Sequence, residues 1–144
     1  MSDANLRKIF QKHLPEAHWQ AIESWSTGQG VPDSEYCFPK GASGWIENKK
    51  TSANKLASPL SPQQIAWIER RHRVGGRVFI AVRRQTTKAV SQMHNQCDDE
   101  IYLFSGANVR LLAAKGVLWT PFLACHARGP AKWNWDNIKA ILVG

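Results

Sequence analysis

The sequence predicts an α/β fold, a central β-sheet flanked by helices, and three observations carry that expectation. Residues Arg77 to Arg84 are rich in valine, isoleucine and phenylalanine and alternate early, as a strand does. Ser61-Pro62 opens a helical stretch that Gly75-Gly76 closes. Apolar residues at helical spacing recur near both termini. At 144 residues with 43% hydrophobic and 21% charged residues, the chain suits one globular domain with a real core.

The elements follow in order. Leu6, Ile9, Phe10 and His13 recur at helical spacing, which predicts a short helix ending before Pro15. Trp19 to Trp25 fits either a strand or a second helical piece, with Trp19, Ala21, Glu23 and Trp25 on one face if extended. Gly28 and Gly30 predict a turn over Ser26 to Val31. Asp33 to Phe38 suits a short strand, Pro39 to Gly44 a hairpin connection, and Gly44 to Lys50 the returning strand. On that strand Trp45, Glu47 and Lys49 share one face, and Ile46 and Asn48 the other. Thr51 to Leu60 reads as a loop. In the helix that follows, Ile65, Ile68 and His72 predict a stripe running to Val74. Ile101 to Phe104 and Val109 to Leu112 predict a hairpin around Gly106-Ala107-Asn108, and Asp136 to Val143 a C-terminal helix.

Charge narrows the partners. Nineteen lysines and arginines against eleven aspartates and glutamates give +8, which favours a polyanion such as nucleic acid. The densest basic stretch is Arg70, Arg71, Arg73, Arg77, Arg83 and Arg84, readable as a phosphate-facing surface or as a solvated helix face. No run approaches eighteen apolar residues, and Met1-Ser2-Asp3-Ala4-Asn5 lacks the order of a secretion signal, so an intracellular protein without a membrane span is expected. Cys37, Cys97 and Cys125 are odd in number and far apart, which argues against a disulfide framework. A zinc site would require them to meet His94 or His126 in space.

The chemistry lies in Pro32-Asp33 and, fourteen residues on, Glu47-Asn48-Lys49. Phosphodiester hydrolysis needs an activated water, a neutralised phosphate and a stabilised leaving oxygen. Two carboxylates converging across a hairpin can hold a hard cation for that purpose. A lysine two residues after the second acid points to the same strand face and can orient water or offset charge on the phosphate.

Val31-Pro32-Asp33, Gly44-Trp45-Ile46-Glu47-Asn48-Lys49, Leu60-Ser61-Pro62-Gln63-Gln64 and Val82-Arg83-Arg84 resemble, in order and spacing, the motifs of PD-(D/E)XK nucleases. The resemblance covers roughly residues 19 to 105 and points to the virus-type replication-repair nuclease branch, with its small stand-alone phage enzymes. It implies a restriction-endonuclease-like core with a mixed sheet. Asp33 matches the first metal-binding aspartate, Glu47 the second acid, Lys49 the catalytic lysine and Gln64 a helix glutamine that orients the catalytic groups. Glu23 resembles an extra upstream glutamate that completes a second metal site. The backbone carbonyl of Asn48 is expected to face the metal, Mg2+ or Mn2+. Lys50, Arg83 and Arg84 are the expected nucleic-acid contacts. Ser34-Glu35 and Asn48 stand where the family often has apolar residues.

The activity so implied is a Mg2+-dependent DNA endonuclease, structure-selective for Holliday junctions or other branched DNA, acting as a homodimer. A phage-encoded enzyme of this kind would work in the cytoplasm of a bacterial host. Two other classes compete with it: a non-catalytic nucleic-acid-binding or virion protein on a degenerate nuclease fold, and a zinc-stabilised binding module. Trp119, Trp133 and Trp135 lie outside the motifs and are expected in the core or at an interface.

Overall fold

A computed structural model describes residues 4–23, 29–86 and 99–144. It is α/β, with one six-stranded mixed sheet whose strands lie in sequence order: β1 (His18–Ala21), β2 (Ser34–Cys37), β3 (Ser43–Thr51), β4 (Val78–Gln85), β5 (Asp99–Ser105) and β6 (Ala124–His126). Neighbours are antiparallel except β3 and β4. Those two are parallel because helix α2 (Pro62–Arg73) carries the chain back between them. Helices α1 (Ala4–His13), α3 (Val109–Lys115) and α4 (Trp135–Val143) complete the flanks.

The alternation of β4 divides the interior. Phe79 and Ala81 face one core, with Leu6 and Phe10 of α1, Ile138 and Leu142 of α4, and the aromatic rings of Trp19, Tyr36 and Phe38. Tyr36 is fully buried, and its hydroxyl donates to the Leu142 carbonyl at 2.6 Å, tying β2 to the C-terminal helix. Val78, Ile80 and Val82 face the second core, with Ile68 of α2 and Val109 and Leu112 of α3. Each large side chain so enclosed contributes about 1.5–3 kcal/mol of transfer free energy.

The first helix, the β2–β3 hairpin, the strand after Gly75-Gly76 and the C-terminal helix lie where expected, with ends shifted by a residue or two. Trp19 belongs to a strand, whereas Trp25 and the first half of the Ser26–Val31 turn fall outside the described residues. One expectation is overturned. Val109 to Leu112 is not the second arm of a hairpin but part of α3, entered through a 3-10 turn over Gly106–Asn108. Ser105 Oγ accepts from Ala107 N, which turns the chain. Val109 and Leu112, three residues apart, then bury on one helical face.

The α2 stripe is also shorter than predicted. Ile65, Trp67 and Ile68 anchor the helix, while His72 and Val74 are exposed. The last turn, Arg70–Arg73, is wholly basic. Arg70, His72 and Arg73 stay exposed because burying unpaired charge is costly, whereas Arg71 is half-buried over the Trp67 ring, 4.5 Å from its centroid. Among the described residues no helix is long and apolar enough to cross a membrane. Cys37 on β2 and Cys125 on β6 are free thiols four strand positions apart, roughly 19 Å across the sheet, too far to share one zinc. Cys97 and His94 fall outside the described residues.

Candidate active site

The site forms where β3 outruns β2. The β2 pairing ends at Ser34 opposite Ile46, whereas β3 stays paired with β4 from Trp45 to Thr51. From Glu47 onward the β2-side edge of β3 therefore opens onto Asp33 and a cavity of about 750 Å3. Its lining includes Glu23, Asp33, Glu47, Lys49 and Gln64, all five side chains that the sequence marked as catalytic.

Asp33 is clamped by the residue between the other two. Its Oδ1 accepts from Asn48 N at 3.2 Å and Asn48 Nδ2 at 3.1 Å, and Ser34 Oγ lies 3.3 Å away. Asn48 is completely buried, and Nδ2 also reaches Ser34 Oγ at 3.1 Å. Its Oδ1 is enclosed without a hydrogen-bond partner, so the donor end of the amide sets its orientation. An extended residue directs its N–H and C=O to the same edge, so the Asn48 carbonyl points to the side where Asp33 sits.

Glu47 and Lys49 are each only 2% exposed. Glu47 Oε1 accepts from Asp33 N at 3.2 Å. Its Oε2 accepts from Gln64 Nε2 at 3.0 Å and lies 3.5 Å from Lys49 Nζ. Burial, followed by the neighbouring Asp33 carboxylate, pushes Glu47 up from its ordinary 4.5 to about 7, although Lys49 and the Asp33 N–H pull the other way. Gln64 is fixed from behind by a capping box: Ser61 Oγ accepts from Gln64 N at 3.1 Å, and Gln64 Oε1 accepts from Ser61 N at 2.9 Å. With its oxygen held in the cap, the amide presents its NH2 to Glu47.

Gly30 closes one wall. Its φ is +87°, and a Cβ there would stand 2.2 Å from the Gln63 carbonyl oxygen, so only glycine lets this turn lie against the start of α2.

The expected nucleic-acid contacts lie elsewhere. Lys50 is exposed but projects from the opposite face of β3, and neither Arg83 nor Arg84 lines the cavity. Arg83 forks onto Asp99 at 2.8 and 2.7 Å, and Arg84 bonds Glu100 at 2.8 Å and the Ala53 carbonyl at 2.8 Å.

Among the described residues no three histidine, cysteine, aspartate or glutamate side chains form a metal-holding group. Two carboxylates and a backbone carbonyl directed to the same edge nonetheless match magnesium, which uses few protein oxygens and keeps much of its water. Among the described residues neither imidazole nor thiol lines the cavity, so those donors do not match zinc. The sequence reading missed the side-chain role of Asn48. Its only signal was a polar residue at an inward position of a buried strand. Neither a family model, nor a curated protein, nor a solved structure matches the chain.

Proposed function

We propose that this protein is a metal-dependent DNA endonuclease of the PD-(D/E)XK type, hydrolysing phosphodiester bonds with a preference for branched or junction DNA and acting as a homodimer. The observation that carries the reading is the meeting of Asp33, Glu47 and Lys49 in one cavity, with Gln64 hydrogen-bonded to Glu47. Asp33, Glu47 and the Asn48 carbonyl are the groups to hold Mg2+ or Mn2+, and Glu23 on the cavity lining is the candidate for a second ion. When bound, such a cation neutralises phosphate charge and makes water more acidic.

The side chains do the positioning. The Asn48 clamp fixes the direction of the Asp33 carboxylate. Gln64 and the Asp33 N–H hold one oxygen each of Glu47, which carries its charge above about pH 7. Lys49 brings an ammonium group to the cavity, where it can donate to a non-bridging phosphate oxygen or to the attacking water. The +8 chain supplies sequence-independent attraction to DNA. Lys50 is free to meet backbone phosphates, whereas Arg83 and Arg84 must first give up Asp99 and Glu100. Two copies would offer two cavities to two strands of one junction.

The test is incubation of purified protein with a four-way junction and with a linear duplex, with and without Mg2+. Cleavage that needs the metal and prefers the junction is expected. Asp33→Ala and Glu47→Ala should each slow it by roughly a thousandfold or more. Calcium should permit binding without turnover. If no DNA is cut under any condition yet binding persists, the protein is a non-catalytic binder and the enzymatic reading fails.

A further inference from the structure

We infer that the apolar surface around Trp119 is where a second copy of this chain docks. Of the six strongly exposed large hydrophobic side chains among the described residues, five fall within one stretch: Leu111, Leu118, Trp119, Phe122 and Leu123. Trp119 is 76% exposed, so it is not the core residue its type suggests.

The backbone beneath these side chains is pinned. Leu118 N donates to Asn54 Oδ1 at 2.7 Å, Val117 N to the Asn54 carbonyl at 2.9 Å, and Asn54 Nδ2 to the Lys115 carbonyl at 2.9 Å. Thr120 Oγ1 donates to the Gly116 carbonyl at 2.7 Å, and the Phe122 ring meets Tyr102 edge-on at 5.6 Å between centroids. Large aromatic groups on a backbone already fixed lose little freedom when a partner covers them.

Charge and area select the occupant. Gly116 to Cys125 contains no charged residue, although the chain as a whole carries +8. Cations precede it at Arg110, which stands beside Leu111 and is paired with Glu69 at 2.8 Å, and at Lys115, which is exposed. A surface for nucleic acid would place lysine or arginine among the rings to meet phosphate. Two copies of a basic chain, by contrast, repel least where neither carries charge. The five side chains expose on the order of 500 Å2 together, within the range of a monomer's largest functional patch. Apposed about a two-fold axis they would bury roughly 1,000 Å2, the lower bound of a stable interface. The patch also runs directly into β6, the edge strand of the sheet, through Leu123.

That the partner is a second copy rests in part on the function proposed above; the choice of surface does not. Sedimentation equilibrium of the full chain over two decades of concentration around the micromolar range should show a dimer. Trp119→Glu and Phe122→Glu should each raise its dissociation constant by about thirtyfold or more, with the far-ultraviolet circular dichroism of the folded monomer unchanged because both positions are largely exposed. Val74→Glu, at the one other exposed large hydrophobic among the described residues, should leave it alone. Trp119→Ala repeats the test without an added charge, should the glutamate variants misfold.

A wild-type chain that stays monomeric over that range overturns the inference. So does a dimer that Trp119→Ala leaves intact. A Trp119→Ala protein that keeps its mass but loses affinity for an oligonucleotide overturns it in favour of a base-stacking platform. A dimer that cuts no DNA removes the nuclease reading alone, and a monomer that cuts DNA removes this inference alone.

Discussion

Opposite charges meet at two places in the sheet, and they meet in different ways. On β4 and β5, Arg83 grips Asp99 through two bonds of 2.8 and 2.7 Å, and Arg84 bonds Glu100 at 2.8 Å. These side chains keep 15 to 18% of their surface, and the Arg83 guanidinium also lies 5.8 Å from the Trp133 ring centroid. On β3, Glu47 and Lys49 are buried far more completely, yet stand 3.5 Å apart without a fork. The deeper pair thus has the poorer geometry, and its acid is left poised near neutrality. Loss of hydration is repaid only when hydrogen bonding is complete. The arginine pairs meet that condition and hold strands together, whereas the β3 pair does not and retains capacity for another ligand.

The contrast can be broken by removing one partner at a time. Lys49→Met should have the largest effect, about 3–5 kcal/mol above pH 7, because it leaves Glu47 buried beside Asp33 without its cation. Denaturant unfolding reads this, and adding Glu47→Gln should recover most of the loss. A single substitution that costs nothing would show the pair to be uncoupled.

Next in size is a pH dependence of about 3 kcal/mol. Folded Glu47 keeps its proton up to about pH 7, while the unfolded chain releases it near 4.5. Folding therefore takes up a proton between those values. The contribution from Glu47 is fully present at the acid end, is lost as pH rises to about 7, and is level above. Glu47→Gln should remove that slope from the unfolding free energy.

The smallest change belongs to the other region. Arg83→Met should cost about 1–3 kcal/mol, since Asp99 stays partly hydrated and can turn to water. A larger loss there than at Lys49 would reverse the comparison.

The sequence disclosed these regions unequally. Asp33, Glu47 and Lys49 were legible because hairpin spacing and strand periodicity set their relative positions, and Gln64 only through the resemblance of Ser61-Pro62-Gln63-Gln64 to a nuclease motif. The partners of Arg83 and Arg84 were not, because cross-strand register comes from how strands pair and not from local pattern. Val109 to Leu112 read as a strand because four residues cannot separate a period of two from one of 3.6; Ala113 and Ala114 beyond it were the overlooked helix signal. Trp119 and Trp133 look alike in sequence, yet Trp133 packs in the core and Trp119 faces solvent. Apolar character says that a surface wants covering, not what covers it.

The capping box at Ser61 carries one last consequence. Glutamine and glutamate serve the third position of a capping box equally, since either returns an oxygen to the cap backbone. At position 64 that interchangeability ends. The side chain must also give a hydrogen to Glu47, and a carboxylate has none to give once ionised. A rule of helix grammar that ordinarily tolerates two letters is thereby narrowed to one by a neighbour seventeen residues away.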